Sequence, residues 1–228
     1  MIDFHAHILP CIDDGSQSVE ESVSLIDMLA SQEVDRVFAT PHFMIENDTA
    51  ECFIEKRNEA YESLQPHLTS KGIDVRLGAE VAYFPGVSGM SSILDLRLQG
   101  TKLLLLEMPN APWSEYTVRE LLQLSCTSDI KLMLAHVERC MDFQSKKTWQ
   151  RLLDGGVIMQ SNASFFIDPR VRRKALKLLL QGKIHVLGSD CHNLEYRPPR
   201  MLEAIEIIGN RYGEDVVSAI DRFSQKIT

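Results

Sequence analysis

The sequence predicts an α/β fold in which strands and helices alternate and the strands form a closed or nearly closed parallel barrel. Three observations support this prediction: seven short apolar runs recur along the 228 residues, segments with helical periodicity lie between them, and no obvious linker interrupts the series. Strands that are apolar throughout are typical of parallel sheets buried on both faces. Seven strand–helix repeats are typical of a barrel, and a doubly wound open sheet is the competing topology. A single domain over residues 1–228 is expected in either case.

The seven predicted strands are dominated by apolar residues. In chain order they read MIDFHAH, RVFATPH, DVRLGAEV, KLLLLEMP, IKLMLAHV, GVIMQSNAS and IHVLGSD.

Three of the helices between these strands have clear signals. Ser18 and Glu21 form a capping-box pattern at the start of the first helix, which then carries an apolar row. A second helical row is expected to have Arg57 at its edge. Asp168 followed by Pro169 predicts the N-cap and first residue of a third helix, which ends at Gly182. The two apolar rows are Val23, Ile26, Leu29 and Ala30, and Phe53, Tyr61, Leu64 and Leu68.

Composition excludes several functional classes. A net charge of -8 disfavours nonspecific binding to nucleic acid or to anionic membranes, and no apolar run reaches the roughly 18 residues that span a bilayer. Asp3, His5 and His7 interrupt the first residues, so no signal peptide is predicted. Five scattered cysteines, an odd number, indicate reduced thiols. The expected location is therefore the cytoplasm.

Polar residues occur at the carboxyl ends of six of the seven predicted strands, and in a barrel these ends converge on one face, where active sites are built. His5 and His7 are two apart on a strand, so they point to the same side with Cα atoms about 6.6 Å apart, close enough to share a metal ion. Asp14 lies on the loop just beyond them. The strand-end residues are His5, His7, His42, Glu80, Glu107, His136, Asp190 and His192.

Each of these residues alone has an ordinary structural explanation. A strand-end histidine is more often a hydrogen-bonded structural residue, a glutamate there often caps a helix, and Asp13 with Asp14 before Gly15 fits a turn. The joint pattern favours a polynuclear metal centre, because charges this dense would be costly without cations. Mixed imidazole and carboxylate ligands suit Mn, Fe or Zn. His67 and His185 fall outside the pattern and are expected at the surface and at a strand start.

The charge of such a centre points to phosphate chemistry. Four ionised carboxylates against three divalent cations leave a net positive site, which attracts an anionic substrate and activates a bridging water. Arg139 and Arg197 follow His136 and His192 closely and are candidates for holding phosphate oxygens with planar guanidinium groups. The alternative is that they are surface arginines paired with Glu138 or Glu195.

The motifs HAH, HILPCIDDGS, ATPHF, GAEV, LLEMP, AHVER and SDCHN with RPP after it resemble the polymerase and histidinol phosphatase (PHP) superfamily. They most resemble its bacterial capsule-linked tyrosine-protein phosphatases, the CpsB/YwqE group, from Met1 to about Arg200. The resemblance implies a distorted TIM-like (β/α)7 barrel of the PHP fold with two or three metal ions, typically manganese. It also implies dephosphorylation of phosphotyrosine on the tail of a partner tyrosine kinase that governs exopolysaccharide export. Two departures are Cys11 and Cys191, where the group usually has Gly and often Ala.

The resemblance also implies the residues of the site. Arg139 and Arg197 would contact phosphate. Apart from the resemblance, a phenolate leaving group demands no strong general acid, and His42 and a metal-bound water are the two candidate proton donors, between which the sequence does not decide. The implied metal ligands are His5, His7, Asp14, His42, Glu80, Glu107, His136, Asp190 and His192.

The resulting hypothesis is in-line attack on phosphorus by a metal-bridging hydroxide, with the metals and both arginines stabilising the equatorial oxygens. Aromatic residues after the strand ends are candidates for a rim that stacks on the tyrosine ring, although packing is the more usual role. These aromatics are Phe43, Tyr83, Phe84, Trp113 and Phe165.

Four alternatives stay open. Cys191 and Arg197 have the C-x5-R spacing of cysteine-dependent tyrosine phosphatases, but no glycine lies between them and two prolines follow. An amidohydrolase shares the barrel and the HxH opening but often has a modified lysine where this chain has Glu107. A histidinol phosphatase, or another small-molecule phosphoesterase, would use the same centre. The fourth alternative is a non-catalytic metal-binding scaffold.

Overall fold

The computed structural model describes residues 1–68 and 72–228, and every strand pairing in that part of the chain is parallel. The strands are β1 (Ile2–Ala6), β2 (Arg36–Ala39), β3 (His42–Phe43), β4 (Asp74–Leu77), β5 (Glu80–Ala82), β6 (Leu103–Glu107), β7 (Lys131–Leu134), β8 (Ile158–Asn162) and β9 (Val186–Gly188). One sheet has the order β1-β2-β4 and the other β3-β5-β6-β7-β8-β9.

The first and last predicted strands meet at their carboxyl ends. The backbone N–H of Asp190 donates to the carbonyl of His5 at 2.7 Å, and the N–H of His7 donates to Cys191 at 2.9 Å. The seven predicted strands therefore follow one another round a curled sheet, which confirms the barrel-type α/β prediction and excludes the open doubly wound sheet.

The barrel is distorted because the second and third predicted strands are each broken in two. Thr40 and Pro41 separate β2 from β3, and Pro41 has no N–H to continue the ladder. Gly78 and Ala79 separate β4 from β5. A Cβ at Gly78 would lie 2.5 Å from a methyl carbon of the fully buried Leu98, so a larger residue at this break would force the Leu98 side chain to move. The pairing of β1 with β2 also slips between Asp3 and Ala6.

Helices cover the outside of the sheet. The α-helices are α1 (Val19–Ser31), α2 (Ala50–Leu64), α3 (Glu115–Ser125), α4 (Lys146–Asp154), α5 (Ala163–Ile167), α6 (Arg172–Leu180), α7 (Met201–Tyr212) and α8 (Glu214–Ile227). The 3-10 turns span Gln65–His67, Val87–Gly89, Ser91–Leu96, Val137–Arg139 and Met141–Phe143. Residues 83–102, all described, contain only 3-10 turns, so the expected helix after the third strand is absent. Pro85 and Gly86, the latter at φ 96°, oppose a helix there.

The helix signals were partly right. Ser18 Oγ accepts from the N–H of Glu21 at 3.2 Å, as the capping-box pattern predicts. Helix α6 begins at Arg172, not Pro169, because the carboxylate of Asp168 instead accepts from the N–H of Arg170 and closes a turn. Gly182 follows the end of α6 at φ 64° and confirms the predicted stop.

Arg57 is buried, with 7% of its surface exposed, and does not lie at the edge of its helical row. Its guanidinium donates to the carbonyl of Gly78 at 3.0 Å, which satisfies a backbone acceptor freed by the strand break. The prediction was wrong because the chain break that needs this donor is a tertiary feature.

Alternate residues of the central strands pack into two different apolar clusters. Leu104 and Leu106 belong to the larger cluster with the helices, whereas Leu103 and Leu105 belong to a smaller one with Phe4. A sheet covered on both faces in this way requires the apolar strands seen in the sequence. No helix among the described residues is long and apolar enough to cross a membrane.

Candidate metal centre

The nine residues predicted as metal ligands come together at the carboxyl ends of the strands. They fall into four overlapping groups whose ligand atoms lie within 4.8 Å of one another. The groups are His7, Asp14, His42 and His192; His5, His7 and Asp190; His5, Glu80 and His136; and His42, Glu80 and Glu107. Each of the nine residues occurs in at least one group, and the shared residues link the four groups into one continuous site.

The arrangement of His5 and His7 is the clearest indication that the site binds cations. Their Nε2 atoms lie only 3.0 Å apart. The Nδ1 of His7 donates to Asp13 at 2.7 Å, and the Nδ1 of His5 lies 3.3 Å from the side-chain oxygen of Gln160. In the neutral form that binds metals, each ring that keeps its proton on Nδ1 directs its Nε2 lone pair toward the other ring. A cation between them turns this repulsion into coordination.

The carboxylate of Glu80 lies at the middle of the site and is fully buried. One oxygen is 2.7 Å from the Nε2 of His136, and the other is 3.0 Å from the Nε2 of His5. Burial alone would raise the pKa of Glu80, but the charge of His5 and hydrogen bonds from the surrounding imidazoles bring it well below its usual range. Glu80 is therefore an ionised buried group, which requires positive charge beside it.

Protons supply part of that positive charge when no cation is bound. Burial alone would lower the pKa of His7, but its contacts with Asp13 and Glu80 raise it to about 10. Cations entering the site must displace such protons. His192 differs, because burial and the nearby positive charges of His7 and Arg197 lower its pKa to about 4, which leaves its ring neutral at pH 7.

The site opens to solvent on the side of Asp14. The side chain of Asp14 is 66% exposed, and one of its oxygens lies 3.4 Å from Nε2 of both His42 and His192. Among the described residues, Nδ1 of His42, Nε2 of His192 and Oε2 of Glu80 are buried and form no hydrogen bond of good geometry, and the polar atoms nearest to them belong to other candidate ligands. Closely spaced polar atoms of this kind fit a set of metal ligands.

Two candidate ligands sit on strained backbone. His136 has φ 25° and Asp190 has φ 52°, values that cost non-glycine residues roughly 1–3 kcal/mol each and cluster at functional sites. Cys11, where a glycine was expected from the resemblance, takes φ 57°. The first loop thus keeps a conformation that favours glycine, despite the cysteine.

Arg139 and Arg197 lie at the site, as predicted, and do not pair with Glu138 or Glu195. Both Nη2 atoms donate to Oδ2 of Asp190, that of Arg197 at 2.7 Å. The other oxygen of Asp190 faces His5 and His7 at 3.6 and 3.5 Å. Asp190 therefore links the candidate metal ligands to the arginines.

Sequence reasoning missed three residues that orient the site. Asp13 was interpreted only as part of a turn, yet it binds both His7 and the N–H of His42. Gln160 accepts from the N–H of His136 at 2.7 Å, and Asn162 donates to Asp190 at 2.7 Å. The signal was present in the sixth strand, where QSN interrupts an apolar run at its carboxyl end like the other polar residues.

The predicted aromatic rim is mostly packing. Phe43 is fully buried and meets Phe53 edge-on, with ring centroids 5.3 Å apart, while Phe165 is 8% exposed. The hydroxyl of Tyr83 donates to Glu120 and the indole N–H of Trp113 donates to a backbone carbonyl, while Phe84 is partly buried against the larger cluster. These five residues follow the strand ends, but Phe43 and Phe165 lie in the core and the other three pack against it.

An aromatic residue that the sequence analysis did not single out lies beside the arginines. Tyr196 is 87% exposed and lines a cavity of about 440 Å³ together with Arg139, Asp190 and Arg197. Its loop is fixed by Asn193, whose side-chain oxygen accepts from the N–H groups of residues 195, 196 and 197.

The thiol of Cys191 does not fit the cysteine-dependent mechanism. Cys191 is fully buried, and burial raises the pKa of its thiol far above the usual range. The Arg197 guanidinium that would serve the same mechanism is bound to Asp190. This geometry opposes the C-x5-R alternative.

Comparisons with known proteins agree on one family. The family described as "Capsular polysaccharide synthesis, CpsB/CapC" matches residues 1–225. The tyrosine-protein phosphatase CpsB of Streptococcus agalactiae serotype III is 29% identical, over 94% of this chain and 92% of that protein.

Two solved structures share the fold. The first comes from work on YwqE from Bacillus subtilis and CpsB from Streptococcus pneumoniae, described as unique metal-dependent tyrosine phosphatases. It has a TM-score of 0.87 at 22% identity and covers 100% of this chain and 94% of that chain. The histidinol phosphate phosphatase of Lactococcus lactis, complexed with zinc, has a TM-score of 0.56 at 11% identity and covers 92% of this chain and 93% of that one.

Proposed function

The chain belongs to the CpsB/CapC capsular polysaccharide synthesis family, and from this premise we propose that it is a metal-dependent protein-tyrosine phosphatase. Residues 1–228 form one phosphatase domain. The substrate is a phosphotyrosine protein, and within the pathway implied by the family it is the tail of a bacterial tyrosine kinase that regulates exopolysaccharide synthesis.

One observation carries the proposal of a metal centre. The Nε2 atoms of His5 and His7 lie 3.0 Å apart and both face the buried, ionised Glu80, so positive charge, from protons or from metal ions, is required between these groups. The nine residues of the four groups offer imidazole and carboxylate ligands alone, which suits manganese and also iron or zinc. Two or three divalent ions bound there supply Lewis-acid polarisation of phosphoryl oxygens and a nucleophile derived from water near neutral pH.

The two arginines hold the substrate phosphate. Their side chains are each a little over one third exposed, at 37% for Arg139 and 38% for Arg197, so a phosphate entering the cavity can reach them. Charge that spreads over the equatorial oxygens is stabilised by such planar donors. Asp190 keeps both guanidinium groups oriented toward the site.

Tyrosine as leaving group lowers the demand for an acid. A phenol has a pKa of about 10, so a phenolate leaving group needs less protonation than an alkoxide leaving group. His42 is our candidate proton donor. Its side chain is 23% exposed, the largest value among the five site histidines, and a ring that holds a cation on one nitrogen keeps an N–H on the other.

The substrate ring lies beside Tyr196 in this proposal. The exposed phenol lines the same cavity as the arginines, and an aromatic ring carried by the phosphate can stack on it.

The test couples metal analysis to turnover. Purified protein is assayed on a phosphotyrosine peptide before and after chelation, and again after manganese is added. We expect loss of activity on chelation and recovery with manganese, and the Cys191→Ser variant should keep its turnover. Histidinol phosphate and a dihydro-orotate-like amide complete the panel. Faster hydrolysis of either compound than of the peptide would contradict the proposed substrate class.

A further inference from the structure

The charge of the chain is distributed very unevenly. From Arg139 to Lys183 there are ten Lys and Arg residues against three Asp and Glu, a net charge of +7. The rest of the chain holds 14 basic and 29 acidic residues, a net charge of -15. A basic segment in an acidic protein attracts acidic partners selectively.

This basic segment encloses a groove between α4 and α6. The groove has a volume of about 470 Å³, and three lysines line it at different heights along the two helices: Lys146 at the start of α4, Lys174 within α6, and Lys183 after its end. Trp149 and Leu178 contribute apolar surface between them.

Two of the three lysines are free to bind a partner. Lys174 is held by Asp142, with its Nζ 2.6 Å from a carboxylate oxygen. Lys146 and Lys183 form no ion pair with any residue in the ranges 1–68 and 72–228. The groove therefore offers two uncompensated positive charges together with an apolar surface.

The groove begins next to the candidate active site. Arg139 lines the cavity of the site, and Met141, two residues further along the chain, lines the groove. Two residues of chain span at most about 7 Å. A substrate segment whose phosphotyrosine lies at Arg139 would need only a few residues to reach the groove, since an extended chain covers roughly 3.3 Å per residue.

We propose that the α4–α6 groove binds an acidic segment next to the phosphotyrosine of the protein substrate, with Lys146 and Lys183 recognising its carboxylates. The inference rests on the proposed phosphatase function and adds the substrate class: phosphotyrosine flanked by acidic residues. A concave groove suits an extended peptide better than a flat bilayer, and its position beside Arg139 favours the substrate over a second copy of the chain.

The test compares two phosphotyrosine peptides of equal length, one with Glu flanks and one with Gln flanks. The wild-type protein should have a KM about tenfold lower for the acidic peptide at low salt, and the preference should disappear at high salt. The double variant Lys146→Glu/Lys183→Glu should lose the preference but keep its kcat and its turnover of free phosphotyrosine. Lys131→Glu/Lys226→Glu is the matched control, because these exposed lysines lie outside the groove and give the same change of net charge.

The outcomes separate this inference from the proposed function. If the Lys146/Lys183 variant retains the preference, or if the control variant loses it to the same extent, the groove does not bind the acidic segment. Binding of anionic vesicles or a salt-sensitive dimer that depends on Lys146 and Lys183, without any peptide preference, would also overturn this inference. If no phosphotyrosine compound is hydrolysed, the proposed function fails. Binding of the unphosphorylated acidic peptide to the wild type and to the Lys146/Lys183 variant, measured by calorimetry, then tests the groove independently of turnover.

Discussion

Replacement of Asp13 by Asn tests how the site controls its histidines. Oδ2 of Asp13 accepts from Nδ1 of His7 at 2.7 Å and from the N–H of His42 at 3.1 Å, while Oδ1 accepts from the N–H of Gly15 at 2.9 Å. The contacts with His7 lower the pKa of Asp13 to about 2 despite its burial, so the carboxylate is ionised at any working pH. It therefore fixes the His7 tautomer with the lone pair on Nε2.

In Asp13→Asn, the amide keeps the oxygen that binds Gly15 but places an NH2 group against His7. Nδ1 of His7 must then accept, and its proton moves to Nε2, where it blocks a cation. Loss of a hydrogen bond to a charged group corresponds to about 1.5–3 kcal/mol. That energy agrees with the roughly 10–100-fold loss of metal affinity seen when the partner of a ligating histidine is removed.

The assay is competition for manganese against a chelator, with kcat measured at saturating metal. Asp215→Asn is the control, since it removes one exposed carboxylate in α8. If the amide flips, His7 keeps its acceptor but the N–H of Gly15 loses its own, and the metal-free protein unfolds at lower urea. Unchanged metal affinity together with unchanged stability would refute the reasoning.

Three further predictions concern Arg197, Tyr196 and His185. Arg197→Ala should lower kcat/KM about 100-fold with unchanged metal content, because it removes a donor to the phosphate and no candidate ligand; loss of metal in this variant would contradict that role. Tyr196→Ala should raise KM for phosphotyrosine peptides roughly threefold to tenfold, while Tyr116→Ala, a 56% exposed tyrosine on α3, should not. Burial lowers the pKa of His185, whose Nδ1 accepts from the N–H of Met159 at 2.9 Å. Its contribution to stability is complete above about pH 6.5 and is lost as the pH falls through the lower folded pKa. The difference in urea unfolding between wild type and His185→Asn should therefore shrink from pH 7.5 to 4.5, and an unchanged difference over this range would contradict the assignment.

The sequence by itself determined the class of fold and the members of the candidate centre. Apolar runs are a local property, and parallel strands place their carboxyl ends on one face, so His5, Glu80, His136 and the other strand-end residues had to converge. The family resemblance drawn from HAH, GAEV and SDCHN is confirmed by the match over residues 1–225.

Only the tertiary structure determined where the strands break and which groups form hydrogen bonds with each other. The breaks at Pro41 and Gly78, the burial of Arg57 and the 3-10 turns after β5 depend on how neighbouring segments pack. Asp13 became an orienting residue only because its loop folds back on His7, so closely that a Cβ at Gly15 would lie 2.3 Å from the His7 carbonyl. Hydrogen-bond partners are set by distances of a few tenths of an ångström between residues far apart in the chain, and residue spacing carries no information at that scale.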